Sequence, residues 1–309
     1  MEAFQITFCC TRTDPEPWLA GLRAALPAAQ VSVWQSGADP ADFAVVWAPP
    51  QQFLDEQSQL KGIFNIGAGV DALMKLRLPP GALVVRLEDA GMAVQMAEYV
   101  CQAVIRHFRE LDVYARDMAC GVWDFHKPHE RAEFPVGVMG LGVLGARVAR
   151  ALAHFDFPVL GWSRAPKVID GVRTFAGATQ FNDFLANCRI LVNLLPLTPD
   201  TINILNRDTM SRLLPGGYII NVARGAHLVD EDLLALMQSG HLAGAALDVF
   251  RTEPLPAAHP FWQQAGITLT PHTSARTLRS ESIAQIAGKI NALARGEPVA
   301  GVVDTRRGY

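Results

Sequence analysis

Arg224, Glu253 and His272 follow three separate apolar segments in the last third of the sequence, within NVARG, LDVFRTEPLP and LTPHTSA. An arginine side chain holds a carboxylate and polarises a carbonyl group. A carboxylate beside a histidine favours the imidazolium form, so that a proton is available near neutral pH. These side-chain types suit hydride addition to a 2-keto acid, in which the carbonyl oxygen must be protonated.

Each of these residues also has a purely structural explanation when it is taken alone. Arg224 would pair with a surface acid, Glu253 would be a loop charge, and His272 would cap a turn. All three, however, follow successive strand candidates of one predicted domain. The strand ends of an open α/β sheet face the crevice that binds ligands, so the joint placement favours the catalytic interpretation.

A glycine-rich segment, GLGVLG, lies between an apolar strand candidate and an alanine-rich helix candidate. Gly140 permits a tight turn, Gly142 lets the backbone approach a pyrophosphate, and Gly145 lets the helix pack against the sheet. Val143 and Leu144 begin the helix, and we expect them in the cofactor site as well. The alternative is that the glycines merely end a strand. The order of strand, motif, helix and second strand favours a dinucleotide site instead.

The second strand of this unit, PVLGW, ends without the carboxylate that an NAD site normally places there. Ser163, Arg164 and Lys167 follow the strand, and the planar guanidinium of Arg164 suits a 2′-phosphate. We therefore expect NADP(H) as the preferred cofactor and keep NAD(H) as a second one. The alternative is that Arg164 and Lys167 are solvated loop charges.

Strand candidates alternate with helical stretches along the whole chain, which predicts mostly parallel sheets in two doubly wound α/β domains. The first series is QITFCC, VSVW, FAVVW, GIFNI and LVVRL, and the second is PVGVM, PVLGW, RILVNLL, GYIINVA, GAALDV and ITLT. We expect a flavodoxin-like substrate-binding domain in residues 1–96 plus 277–309. A Rossmann domain for the dinucleotide is inserted as residues 97–276, with a dimerisation arm at about 110–131.

Composition and charge disfavour several other classes of protein. The net charge is −3 and no Lys/Arg cluster occurs, so a nucleic-acid partner is not expected. The five cysteines lack metal-ligand spacing, and we expect no metal site. The sequence shows no secretory signal and no apolar stretch of the roughly 18 residues that a membrane span needs, which predicts a soluble cytoplasmic protein without a membrane partner.

The motifs G-x-G-x-x-G, NVARG, LDVF-x-x-EPLP and TPH, together with GAGVD, resemble the D-2-hydroxyacid dehydrogenase family over nearly the whole chain. The W-x-PP that begins at Trp47, the RLEDAGM segment and the terminal RGY resemble members that use NADPH. The resemblance implies reduction of glyoxylate to glycolate and of hydroxypyruvate to D-glycerate, with a His/Glu acid–base pair and an arginine anchor.

The resemblance also implies roles for further residues. The backbone amides of Ala68, Gly69 and Val70 bind the substrate carboxylate, and a loop of small residues agrees with such an anion nest. Asp248 contacts the nicotinamide carboxamide, and Trp47 lines a small substrate pocket. The alternatives are a plain turn for GAGVD and a core position for Trp47. We also assign Leu195, Pro196 and Ala223 to the cofactor site, and Arg224 and His272 to the substrate site.

In relatives, the arm between the domains clasps a second subunit, which implies a homodimer. Trp123 would lie in that interface, although packing within its own chain is the alternative. Arg276 stands where many relatives carry small residues. It is either an additional substrate anchor or the start of the solvated face of the last helix, which we expect over about 276–294.

Two other functions remain as alternatives at this point. One is an NAD-linked dehydrogenase of a larger substrate, such as D-lactate or phosphoglycerate. The missing carboxylate after PVLGW argues against NAD as the cofactor of such an enzyme, but it does not bear on the size of the substrate. The other is a dinucleotide-sensing corepressor, in which binding of a partner protein is the main function.

Overall fold

The chain alternates strands with helices from end to end, as the sequence predicts, and divides into two units. The computed structural model describes residues 4–11 and 13–306; the terminal RGY, used above as part of the resemblance, lies outside them. The smaller unit is Met1–Met92 with Arg276–Tyr309, and the larger is Ala93–Ala275. The boundaries expected from the sequence are 96/97 and 276/277.

The smaller unit contains a five-stranded parallel sheet with the strand order β2-β1-β3-β4-β5. This is a flavodoxin-like order. The strands are β1 (Phe4–Cys10), β2 (Ala29–Val33), β3 (Phe43–Trp47), β4 (Gly62–Asn65) and β5 (Leu83–Arg86). The helices are α1 (Glu16–Ala25), α2 (Gln51–Glu56) and α9 (Arg279–Ala294), with a short 3₁₀ turn at Leu73–Lys75.

Side-chain alternation explains how this sheet is buried on both faces. Phe43 and Val45 of β3 belong to a core cluster that contains residues of α1 and α9. Ala44 and Val46 belong to a second cluster, which contains residues of α2. Successive residues of a strand point to opposite faces, so one uninterrupted apolar run fills both cores.

The larger unit contains a seven-stranded parallel sheet with the order β12-β11-β10-β9-β6-β7-β8. Counted from β6 as the first strand, this is the Rossmann order 3-2-1-4-5-6 with one further edge strand. The strands are β6 (Val136–Met139), β7 (Val159–Ser163), β8 (Val172–Ala176), β9 (Ile190–Asn193), β10 (Gly217–Asn221), β11 (Leu242–Leu247) and β12 (Ile267–Leu269). The helices are α3 (Met92–Phe108), α4 (Leu111–Ala119), α5 (Val143–His154), α6 (Phe181–Ala186), α7 (Arg207–Met210) and α8 (Asp230–Gln238).

Two expectations about individual elements were wrong. Six strands were expected in the larger unit, and the seventh, β8, was not expected; its sequence VRTFA is half-exposed at the sheet edge, with only Phe175 buried. A short edge strand lacks the continuous apolar run that identifies its neighbours. The last helix was expected to begin near 276 but begins at Arg279. Arg276 therefore precedes the helix and does not start its solvated face.

The segment expected to form an arm exposes large apolar side chains. No residue of α4 is buried. Met118 in this helix is 77% exposed, and beyond the helix Trp123 is 102% and Phe125 79% exposed. A contiguous patch of exposed apolar side chains marks a surface at which another protein binds.

Candidate active site

The glycine motif forms the turn between β6 and α5. Of its three glycines, only Gly142 has open space where a side chain would lie. Gly140 has a φ of +96°, and a Cβ added there would lie 2.8 Å from the carbonyl oxygen of Leu194. A Cβ at Gly145 would lie 1.8 Å from the carbonyl oxygen of Gly140, whereas a Cβ at Gly142 would meet nothing within 4 Å. Gly142 is also the N-cap residue of α5. The open space at a helix N-terminus fits the pyrophosphate of a dinucleotide.

Two alanine substitutions should separate packing from ligand binding in this turn. Gly145→Ala should lower the stability of the larger unit by about 1–3 kcal/mol, because the new methyl group meets backbone rather than a movable side chain. Gly142→Ala should leave the melting temperature unchanged but weaken dinucleotide binding, because it fills only the open space. Thermal denaturation and a dinucleotide titration of both variants measure this. A Gly142→Ala protein that binds dinucleotide normally would contradict the assignment.

The end of β7 carries the residues expected to select the cofactor. Ser163 is buried, and its hydroxyl donates to the carbonyl oxygen of Ala165 at 2.8 Å. Gly177, after β8, donates its amide to the carbonyl oxygen of Ser163 at 3.0 Å. Arg164 and Lys167 are both exposed. The loop therefore presents two positively charged side chains. Neither charge would have to be buried for a phosphate to bind.

His272 and Glu253 form the expected pair. His272 Nδ1 lies 2.8 Å from Glu253 Oε2, and the two side chains are 45% and 37% exposed. The other carboxylate oxygen accepts a hydrogen bond from the Phe250 amide at 3.0 Å. Since Nδ1 faces the carboxylate, transfer of a proton to another molecule falls to Nε2.

Arg224 follows β10 and lies beside the loop that carries Glu253. A Cβ at Gly225 would lie 1.8 Å from the carbonyl carbon of Phe250 and 2.3 Å from the Arg251 nitrogen. The two backbones are therefore in direct contact, which only glycine permits at this position. The third residue of the set thus lies on a segment that is packed against the loop preceding Glu253.

Asp248 holds the loop that carries His272. It is fully buried, and its carboxylate accepts hydrogen bonds from the Thr270 hydroxyl at 2.6 Å and from the amides of Thr273 and Ser274 at 2.8 and 2.9 Å. Its carbonyl oxygen also accepts from the His272 amide at 2.8 Å. His272 adopts a φ of +53°, which is unusual for a residue other than glycine and needs such support. This role of Asp248 was not expected from the sequence.

Tyr99 of α3 extends the same network. Its hydroxyl lies 2.6 Å from the Thr270 hydroxyl, which already donates to Asp248. Tyr99 is therefore the donor of this bond. Burial raises the pKa of Tyr99, the hydrogen bond with Thr270 lowers it, and the charge of Asp248 raises it. The tyrosine stays protonated at neutral pH, as its role as donor requires.

Leu195, Pro196 and Ala223, expected in the cofactor site, follow the ends of β9 and β10. Leu195 and Ala223 are buried, whereas Pro196 is exposed. These strand ends also carry fully buried Asn193 and Asn221. Neither asparagine was expected to have a role, although each is a polar residue that ends an apolar strand.

In the smaller unit, Trp47 covers the GAGVD loop. It is 40% exposed and is therefore not an ordinary core residue. A Cβ at Gly67 would lie 2.5 Å from the Trp47 ring, so the first glycine of the loop is needed for this contact. The buried side chain of Asn65 donates to the carbonyl oxygens of Gly67 and Gly69 at 2.9 and 3.0 Å.

The amides of Ala68, Gly69 and Val70 differ from the carbonyl groups of this loop in their hydrogen bonding. Two of its carbonyl groups are bound to Asn65. Among the residues that the structure describes, no acceptor is found for the amides of Ala68, Gly69 and Val70. Amides without an internal acceptor are available to donate to an anion such as a carboxylate.

Other kinds of chemistry find little support elsewhere in the chain. All five cysteines are free thiols, and burial raises the pKa of Cys9 and of Cys101 to about 11, so neither is a thiolate at neutral pH. Within residues 4–11 and 13–306, no group of three or more His, Cys, Asp or Glu side chains is placed to hold a metal ion. In the same ranges, no helix is long and apolar enough to cross a membrane.

Comparison with known proteins identifies relatives over the whole length of the chain. The family model "D-isomer specific 2-hydroxyacid dehydrogenase, NAD binding domain" matches residues 101–274. A protein of Serratia proteamaculans named glyoxylate/hydroxypyruvate reductase A is 50% identical, over 96% of this chain and 97% of that protein. A protein of the same name from Yersinia enterocolitica is 46% identical over the same shares of the two chains.

Solved structures are similar as well. A D-isomer specific 2-hydroxyacid dehydrogenase from Xanthobacter autotrophicus Py2, in complex with NADPH and MES, matches with a TM-score of 0.94 and 39% identity, covering 99% of each chain. An NADPH-dependent glyoxylate/hydroxypyruvate reductase from Sinorhizobium meliloti, in complex with NADP and sulfate, matches with a TM-score of 0.92 and 33% identity. This match covers 99% of this chain and 100% of that one.

Proposed function

The chain belongs to the D-isomer specific 2-hydroxyacid dehydrogenase family and is an NAD(P)-dependent enzyme, and from this premise we propose that it reduces small 2-keto acids with NADPH. The proposed reactions are glyoxylate to glycolate and hydroxypyruvate to D-glycerate, with NADH as a second, poorer hydride donor. The observation that carries the proposal is the 2.8 Å contact between His272 and Glu253. It occurs in the same unit as the glycine turn.

Three side chains divide the chemistry between them. Arg224 binds the substrate carboxylate and polarises the keto group, His272 donates the proton from Nε2, and Glu253 orients the ring and stabilises its charged form. The bound nicotinamide supplies the hydride. Hydride at the carbonyl carbon and a proton at its oxygen together give the 2-hydroxy acid.

The smaller unit contributes substrate binding in this proposal. The amides of Ala68, Gly69 and Val70 bind the substrate carboxylate, supported by their lack of an internal acceptor among the described residues. Trp47, fixed against Gly67, limits the size of the substrate side chain. Asp248 is kept as the contact to the nicotinamide carboxamide, beside its role in holding the His272 loop.

A spectrophotometric scan tests the proposal. NADPH and NADH oxidation are followed with glyoxylate, hydroxypyruvate, pyruvate and phenylpyruvate. We expect the largest kcat/KM with NADPH and one of the first two acids. Higher activity with NADH and a bulky acid would favour the dehydrogenase of a larger substrate. No oxidation with any acid would overturn the reductase proposal.

Arg164 is proposed to bind the 2′-phosphate of NADPH with Ser163 and Lys167. Hydrogen bonds to charged groups contribute about 1.5–3 kcal/mol, so Arg164→Asp should lower the preference for NADPH over NADH by roughly 10- to 100-fold. The measurement is kcat/KM for both cofactors. Arg150→Asp, on an exposed position of α5, gives the same change of net charge and should leave the preference unchanged. If the preference of the Arg164 variant is unaltered, this arginine is only a solvated loop charge.

A homodimer held by the 110–131 arm is also part of the proposal. The exposed side chains of Trp123, Phe125 and Met118 support it, because a partner subunit would cover them. Sedimentation equilibrium measures the mass directly, and a monomer at micromolar concentration would contradict it. The cytoplasmic location expected from the sequence remains a proposal that cell fractionation tests.

A further inference from the structure

Asn193, Asn221 and His227 are polar side chains with no exposed surface at the ends of β9 and β10. Asn193 and Asn221 are the last residues of these strands and are paired across them. His227 ends the 3₁₀ turn that follows Arg224. Burying a polar group without a hydrogen bond is costly, so each of these three neighbouring side chains needs a hydrogen-bond partner.

Their hydrogen bonds determine the state of the histidine. The amide of Leu195 donates to Asn193 Oδ1 at 3.3 Å, so Asn193 Nδ2 must be the atom that faces the other two side chains. It donates to Asn221 Oδ1 at 3.1 Å and to His227 Nδ1 at 2.9 Å. His227 is therefore neutral, with its proton on Nε2, and this atom lies 3.3 Å from the carbonyl oxygen of Pro196.

The other end of the network holds the segment of the arginine anchor. Asn221 Oδ1 accepts from the Ala223 amide at 3.3 Å, and Asn221 Nδ2 donates to the Arg224 carbonyl oxygen at 3.0 Å. The backbone of Arg224 is thus linked through two asparagines and a histidine to the turn at Leu195 and Pro196.

We propose that Asn193, Asn221 and His227 are positioning residues, which hold the segment of Arg224 in register with the Leu195–Pro196 turn. The proposal rests on the proposed function, in which Arg224 binds the substrate and the turn borders the cofactor. The network touches neither molecule and acts through the backbone. A displacement of about 1 Å in a reacting group costs up to roughly 10²-fold in rate, so a small slip of either segment is sufficient.

Two variants of His227 test the proposal. His227→Leu removes both the acceptor and the donor, whereas His227→Gln carries one of each and is the matched control. We expect His227→Leu to raise the KM for glyoxylate by about 10- to 100-fold, to lower kcat and to raise the Kd for NADPH. His227→Gln should regain most of each loss. A network with a merely structural role would lower the melting temperature of His227→Leu and leave the three constants unchanged.

NADPH binding, followed by fluorescence titration, needs no turnover and separates this proposal from the proposed function. If the wild-type protein reduces no 2-keto acid, the proposed function is wrong. The NADPH titration still tests the positioning role of the network in that case. If folded His227→Leu binds NADPH with the same Kd as the wild type, the proposed role of the network is wrong. If that variant does not fold, long-range ¹H–¹⁵N spectra of the wild type decide. A neutral Nε2–H tautomer of His227 at pH 7 supports the network, and a Nδ1–H tautomer or an imidazolium overturns it.

Discussion

His272→Ala is expected to lower kcat for 2-keto acid reduction by on the order of 10²–10⁴-fold, the usual range for loss of a general acid. The Kd for NADPH should change little, because the ring is held by Glu253 and by its own loop rather than by the glycine turn. Pre-steady-state reduction with saturating NADPH measures the chemical step directly. His154→Ala, an exposed histidine at the end of α5, is the matched control and should keep full activity.

The exposure of His272 allows a sharper form of this experiment. Its side chain is 45% accessible, so added imidazole can enter the space left by the substitution. We expect imidazole to restore part of the activity of His272→Ala and to have no effect on the wild type. Glu253→Gln should cause a smaller loss, since a carboxamide can still bond to the ring but carries no charge. Full activity of His272→Ala would remove this histidine from the chemistry.

The parts of the structure that depend on local sequence were predictable. The glycine motif by itself predicts a turn between a strand and a helix. The spacing of apolar residues identifies the strands, and the alternation of strands with helices predicts their order in the sheet. Arg224, Glu253 and His272 were selected as candidates because each is a chemically capable residue after a strand, and their catalytic roles stay a prediction. Two of them, His272 and Glu253, are in direct contact.

The supporting residues were not predictable, because their partners are distant in sequence. Asp248 binds the backbone of Thr273 and Ser274, and this contact exists only once β11 and β12 are adjacent. His227 was set aside because nothing near it in sequence is a partner; it bonds to Asn193, 34 residues away. A usable signal was nevertheless present. Three neighbouring apolar strands end in, or are followed directly by, a carboxamide or a carboxylate, and such residues are rarely buried without a bonded partner.

Arg224→Gln is expected to lower kcat/KM for glyoxylate by on the order of 10²–10³-fold, comparable to removing one donor to a developing oxyanion. The loss should appear in both constants, because the same guanidinium binds the carboxylate and polarises the keto group. Arg224→Lys should recover only part of the activity, since an ammonium group keeps the charge but lacks the planar pair of donors. Arg212→Gln, an exposed arginine paired with Asp208, is the matched control.

An unreactive analogue separates binding of the carboxylate from polarisation of the keto group. Acetate carries a carboxylate like that of glyoxylate but has no keto oxygen and accepts no hydride, so its inhibition constant reports binding of the carboxylate alone. If Arg224 anchors the carboxylate, the inhibition constant should rise in Arg224→Gln together with the KM. A rise in KM without a rise in the inhibition constant would mean that the amides of Ala68, Gly69 and Val70 are sufficient for the carboxylate. Arg224 would then act on the keto oxygen alone, and its effect would be confined to the step that His272 completes.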